Sequence, residues 1–359
     1  MKKEVKVVIA ILVIAVLILV AILVMRNFFK EEVVEENVEI ANQNVNQEEI
    51  VEVPKEPEIK IFSGNDRPIA FMIDNNTNAQ PQASINSTYM VYEIIVEGGE
   101  TRLMALFKGT NADEVGPIRS ARHYFLDYAM ENNAIYAHLG MSPQAEKDFG
   151  VFDIEHINGQ IYDTGKARTE SSLFWRVRHK KAPHNAYTNT ESILKIAKDE
   201  GWETTSNKES VLNYVPEEVN LVSEDSIIAN TVTIPYATGH KVEYKYDETT
   251  KRYTRYSKNK KMTDEVTEED VTTKNIIITF ARNYTLNDGE NKGRQEVTTV
   301  GALDGYYITN GKAIKIKCNK NSRSKQTEYV DLQGNEINVN DGNTWVNICP
   351  VDAKVTISE

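Results

Sequence analysis

Hydrophobic positions come in three different rhythms along this chain. Val7 to Met25 is an unbroken apolar run of 19 residues. A bilayer core about 30 Å thick needs about 20 helical residues, so the run predicts a membrane-spanning helix. Lys2, Lys3 and Lys6 precede it, and Arg26 and Lys30 follow. The exit Val24-Met25-Arg26-Asn27 has no small-x-small cleavage site, which points to an uncleaved signal anchor rather than a signal peptide. The three leading lysines favour a cytoplasmic tail at 1–6, with the bulk of the chain outside. Residues 26–58 then lose all apolar periodicity. Glu31 to Glu58 holds ten Glu and one Lys, with no Gly and no aromatic residue. Such a segment cannot bury enough apolar area to offset chain entropy, and it reads as an acidic disordered stalk.

From residue 59 the rhythm is that of a folded protein. Arg67 to Asp74, Tyr89 to Val96 and Thr101 to Lys108 are short apolar runs bounded by turn residues, the pattern of buried strands. Ala121 to Asn132 predicts a helix with Ser120 as N-cap. Ile135 to Leu139 predicts a strand, and Pro143 to Phe149 a helix capped by Ser142. Glu191 to Glu200 is amphipathic and stops at Gly201. Strands alternate with helices here, so residues 59–220 predict a layered α/β domain. After about 226 the pattern becomes strand-only. Val242, Tyr244 and Tyr246 alternate with polar residues, and Asp247 to Thr250 turns the chain into Tyr253 to Tyr256 as a hairpin. Further strands are expected at 275–280, 295–300, 305–309, 313–318, 328–331 and 344–349. Residues 221–359 therefore predict a mostly antiparallel β domain, and the whole a mixed α+β fold with two cores.

Composition narrows the function. The chain has 359 residues, 40% hydrophobic and 26% charged, which excludes a wholly disordered or collagen-like protein and allows about two domains. The net charge of -12 speaks against a nucleic-acid partner, since phosphate neutralisation requires a basic domain. Much of that charge sits in the stalk. Two cysteines exclude a disulfide-stapled scaffold and a four-cysteine zinc site. Cys318 and Cys349 lie on expected strands of one domain, and whether they pair is left to geometry.

Three stretches carry a resemblance: Gly116-Pro117-Ile118-Arg119-Ser120-Ala121-Arg122, Ala137-His138-Leu139-Gly140-Met141-Ser142-Pro143-Gln144-Ala145, and Lys181-Ala182-Pro183-His184-Asn185-Ala186-Tyr187. Gly311-Lys312-Ala313-Ile314 and Thr344-Trp345-Val346 fit more loosely. Together, over roughly residues 60–352, they resemble the YerB-like proteins of Gram-positive bacteria, a family of unknown function with paired DUF3048 N-terminal and C-terminal domains. The resemblance implies export and often a lipid anchor, but no established reaction. This chain departs from it in having a hydrophobic anchor without a nearby lipid-acceptor cysteine. It also has Cys318 where a tryptophan is expected.

Candidate chemistry concentrates in those stretches. Arg119 and Arg122 flank the expected start of a Ser-capped helix, where free amides and guanidinium forks suit an anion. Lys166, Arg168, Arg176, Arg178, Lys180 and Lys181 form a second basic run with Glu170 as its one acid. The alternative is that these cations brace loops by pairing with Glu93, Glu97, Asp127 or Asp163. His138 and His184 stand at turn-rich edges. With Asp127 they are the candidates for acid-base chemistry, against a structural hydrogen-bonding role. There is no Gly-x-Ser-x-Gly elbow and no His-Glu-x-x-His pair, so no catalytic set is assigned, and neither metal nor cofactor is expected. Phe174-Trp175-Arg176 is a ligand platform or a buried loop anchor. The Lys251 to Lys261 run reads as the solvated face of an edge hairpin.

The resulting expectation is a single-span membrane protein of the cell envelope. Its extracytoplasmic part is a binding or regulatory module. Arg119, Arg122, His138, Lys181, His184 and Asn185 are its ligand-binding residues, and its partner is an anionic envelope component or a membrane protein. Two alternatives stand beside it: a hydrolase or transferase acting on envelope glycan or phosphodiester, and a purely structural interaction module.

Overall fold

Strands β1 (Ile69–Asp74), β2 (Met90–Ile95) and β3 (Thr101–Phe107) are buried at every position. Both faces of their sheet are covered, which is why their sequences read as continuous apolar runs rather than alternating ones. The computed structural model describes residues 58–359. The expected cytoplasmic tail, the anchor and all but the last residue of the stalk lie outside the described residues. Among the described residues no helix is long and apolar enough to cross a membrane.

After β3 the chain forms α1 (His123–Glu131), β4 (Ile135–His138), α2 (Pro143–Phe149) and β5 (His156–Asn158). A two-stranded hairpin of β6 (Trp175–Arg176) and β7 (Ala186–Tyr187) precedes α3 (Thr190–Asp199). The Ser142 hydroxyl accepts from the Ala145 amide and caps α2 as expected. Ser120 does not cap α1. The Ala121 amide donates to the Gly140 carbonyl, which keeps residues 119–121 extended, and the helix begins only after Arg122. The Ser120 hydroxyl donates instead to the Leu139 carbonyl at 2.9 Å.

The second stretch contributes β8 (Thr231–Ala237), β9 (His240–Asp247), β10 (Arg252–Ser257), β11 (Lys260–Lys261), β12 (Asn275–Ala281), β13 (Gly301–Thr309), β14 (Lys312–Lys320), β15 (Glu328–Val330), β16 (Thr344–Pro350) and β17 (Thr356–Ser358). The fold is α+β and dominated by sheet. Its largest sheet runs β15-β14-β13-β12-β16-β2-β3-β1-β4-β5, with Ile227–Ile228 also pairing β14. β16 is parallel to β12 on one side (Asn275↔Thr344) and to β2 on the other (Met90↔Thr344). A strand from the second stretch thus closes onto the first. The expectation of two cores is corrected by this pairing, because Phe71, Tyr92, Ile277 and Trp345 belong to one continuous buried cluster.

A second sheet, β11-β10-β9-β8-β17, buries alternate residues such as Val232, Ile234, Val242 and Tyr244. The 242–256 hairpin forms as its sequence predicts, with Tyr244 opposite Arg255. Its basic residues are not simply solvated. Arg255 is fully buried and pairs with Glu93 of β2 at 2.6 Å, because the inner face of β10 packs on the large sheet. Cys318 and Cys349 are both free and buried, so no disulfide joins them.

Candidate anion-binding site

β1 ends in Asp74, whose residue is only 4% exposed. Residues 117–119 run beside that strand end: the Asp74 amide donates to the Pro117 carbonyl, and the Arg119 amide to the Met72 carbonyl. The Ile118 amide then donates to the Ala186 carbonyl of β7, which brings the 181–185 loop alongside. These backbone bonds place Arg119 and His184 on the same carboxylate. His184 Nδ1 lies 2.7 Å from Asp74 Oδ2, and Arg119 Nε 3.3 Å from the same atom. A carboxylate only accepts, so His184 carries its proton on Nδ1 and turns Nε2 outward. Arg119 Nε is close to Asp74 but is not aligned for a hydrogen bond, so charge rather than a directed bond holds the guanidinium. Its η1 nitrogen reaches the Pro183 carbonyl at 3.4 Å.

His184 lines an open cavity of about 670 Å³ together with Lys181, Lys180, His179, Asn78 and Glu265. Lys180 is half-buried there, with its side chain covered, and donates to the Pro81 carbonyl (2.5 Å), Tyr187 (2.6 Å) and Glu265 (2.6 Å). Burial lowers its pKa, and Glu265 only partly restores it. Glu265 also meets His179 at 2.5 Å. The basic run is therefore partly spent on bracing. Arg168 lies near Glu114 and over the Trp175 ring, and Arg176 pairs with Asp163. Phe174 and Trp175 are each 1% exposed and anchor their loop rather than offering a platform. Lys181 is exposed and makes no ion pair among the described residues.

The other expected residues go elsewhere. Arg122 grips Glu97 through two bonds, 2.6 and 2.9 Å, and does not join Arg119, because the late start of α1 turns its side chain to the 97–99 turn. Burial raises the Glu97 carboxyl, but Arg122 outweighs it and the net shift is downward. His138 is wholly buried. Its Nδ1 bonds the Gly140 carbonyl at 2.8 Å, its Nε2 meets His156 at 2.9 Å, and Phe149 stacks on it. Burial, with His156 beside it, pushes its pKa down to about 3. Asp127 accepts from Thr299 and from Arg323, the latter at 2.7 Å. Burial outweighs these partners and pushes it up to about 6. Asn185 bonds Arg176 and the Val177 carbonyl and ties the loop to itself. No hydrogen bond joins any two of His138, His184 and Asp127, so they form no triad.

Sequence reasoning missed Asp74, Glu265 and His179. The signal for Asp74 is an acid closing a fully buried strand. Glu265 has none, since only the fold brings its loop to residue 180.

The geometry sits in a recognisable sequence context. Residues 56–203 match the N-terminal domain, and residues 232–346 the C-terminal domain, of a family described as a protein of unknown function (DUF3048). "Putative lipoprotein YerB" of Bacillus subtilis (strain 168) is 30% identical over 298 residues, covering 79% of this chain and 81% of that protein. The chain belongs to the YerB-like family. The crystal structure of YerB protein from Bacillus subtilis is similar at a TM-score of 0.69 and 28% identity, over 81% of this chain and 94% of the YerB chain. Asp74, Arg119, Lys181 and His184 of this YerB-like protein all fall within the N-terminal match.

Proposed function

We propose that this YerB-like protein is an exported, membrane-attached envelope protein. Its folded part binds an anionic envelope component at the Asp74-oriented pair of Arg119 and His184, with Lys181 beside them. The attachment rests on the apolar run 7–25 and on the description of the Bacillus relative as a lipoprotein. The observation that carries the binding reading is the single buried carboxylate holding a guanidinium and an imidazole next to a cavity lined by Lys181, which makes no ion pair among the described residues. Phosphate-type oxyanions suit such a set of donors.

The test is titration of the full-length protein with a glycerol-phosphate oligomer. Charge-assisted bonds of about 1.5–3 kcal/mol correspond to a loss of about ten- to a hundredfold in affinity. Arg119→Ala and Lys181→Ala should each show that loss, while Arg122→Ala lowers the melting temperature and leaves binding unchanged. Absence of binding by the parent protein, or equal binding by all three variants, overturns the reading.

The His184–Asp74 pair favours one second reading, a hydrolase of envelope phosphodiester or glycan, because a carboxylate-oriented imidazole is the base half of such a site. Among the described residues no hydroxyl or thiol bonds His184, so water would be its nucleophile. Product release lost in His184→Ala but retained in Lys181→Ala would support that reading.

A further inference from the structure

A second cavity, of about 490 Å³, opens where α1 and α2 meet the hairpin of Asn283–Thr285 and Gln295–Val297. Arg323 organises it. Its guanidinium donates to Asp127 of α1 (2.7 Å) and to the His123 carbonyl (3.0 Å), pairs with Asp148 of α2 (2.7 Å), and lies over the Phe152 ring. His123 Nε2 meets Glu296 of the hairpin at 3.0 Å. These bonds fix the walls and leave specific groups unused.

Two of those groups are orphaned acceptors. The His123 side chain is 9% exposed, and its Nδ1 has no partner. Glu296 can only accept, so Nε2 carries the proton and Nδ1 presents a lone pair in the neutral ring. Gln144 donates through Nε2 to Asp288 at 3.3 Å, while its Oε1 has no partner. Six buried side-chain polar atoms lack partners among the described residues, and two of the six line this one cavity. An unmet buried polar group is costly, so the cavity is organised to receive hydrogen-bond donors.

The remaining lining sets the ligand's character. Asp127, Asp148 and Glu296 repel an anion, which separates this cavity from the Arg119 site. Lys147 is exposed at the rim, makes no ion pair among the described residues, and offers donors to a ligand's own acceptors. Tyr284, 51% exposed on the hairpin, presents an open ring at the cavity. A neutral polyhydroxylated ring matches this set: its hydroxyls donate and accept, and its C–H face covers an aromatic ring. Among the described residues no group of three or more His, Cys, Asp or Glu is placed to hold a metal ion, so the acids are not a cation site.

We infer that the cavity between His123, Gln144 and Tyr284 is a binding site for a neutral saccharide. The test uses the full-length protein in a sugar-free detergent, titrated with chitotetraose and with maltotetraose while binding is read by calorimetry. At least one should bind saturably. Tyr284→Ala and Gln144→Leu should each weaken it by about tenfold, the factor that goes with one lost contact or hydrogen bond. Tyr284 is half exposed and Gln144→Leu gives up only the long 3.3 Å bond to Asp288, so both variants should stay folded with a melting temperature close to the parent's. Arg119→Ala should leave saccharide binding untouched, which separates failure here from failure of the anion site. No saturable binding by either oligosaccharide, or undiminished binding in both cavity variants, overturns the inference.

Discussion

Arg255→Met offers the sharpest test of how the two sheets are held together. Arg255 of β10 and Glu93 of β2 are both 0% exposed and meet at 2.6 Å. The guanidinium also donates to Tyr244 at 2.8 Å and lies 4.1 Å over the Trp345 ring. Methionine keeps most of the side-chain volume but leaves Glu93 without its guanidinium, with Thr101 (2.7 Å) and Asn75 (3.0 Å) donating to it and His240 Nε2 at 3.7 Å. Breaking a buried pair from one side costs about 3–5 kcal/mol. At about 2 °C per kcal/mol for a large domain, the melting temperature should fall by roughly 6–10 °C. The double variant Glu93→Gln/Arg255→Met carries no stranded charge and should be less destabilised than Arg255→Met alone, a coupling that a double-mutant cycle reads directly. The pH dependence adds a sign. Burial raises the Glu93 carboxyl, but Arg255, His240 and Thr101 outweigh it and hold it below the ordinary range. In the parent its contribution is present above pH 4.5, the usual carboxyl value, and lost as pH falls through the depressed pKa. In Arg255→Met the largest lowering partner is gone and burial pushes the carboxyl up, so protonation relieves the variant. The stability gap between parent and variant should therefore narrow from pH 7 to pH 5 in urea unfolding. A loss below about 1 kcal/mol, or a gap that does not change with pH, would refute the reasoning.

Two further outcomes are expected. His138, held near a pKa of about 3 by burial, should stay neutral from pH 8 to 5 in an imidazole NMR titration. It weakens the fold only as acid protonates the unfolded chain, and a midpoint near 6.5 would contradict its place in the core. Burial pushes the Cys318 and Cys349 thiols up to about 12, so the native protein should not react with a thiol reagent at pH 8, whereas denatured protein should titrate two thiols; fewer than two would mean that they pair.

The strands were legible wherever burial was two-sided. Ile69 to Asp74, Thr101 to Phe107 and Asn275 to Phe280 read as strands because each is an apolar run with its charged or amide residues (Asp74, Arg102, Asn275) at or next to an end, and each forms one. What a local pattern cannot carry is partner choice. Nothing in Thr344 to Cys349 says that it pairs with Met90 to Ile94, 254 positions earlier, and so separate cores were expected where the described residues of both stretches share one continuous cluster. The same limit shaped the site. Arg119 and His184 stood out as polar groups in turn-rich loops, but Asp74 looked like the end of a strand. His138 stood at the turn-rich end of an expected strand, and the sequence did not show that the next strand of the sheet supplies its partner His156. Arg255 sat among exposed lysines, and only the pleat shows that it points inward.

The central position of β16 also bears on how the chain can mature. β2 has one long-range neighbour that arrives hundreds of residues later, and until then its edge is an open template of unpaired amides and carbonyls. A chain made from its N-terminus presents β1, β2 and β3 long before residues 344–350 exist, with that edge bare. Until then that edge is open to pairing with a strand of another copy.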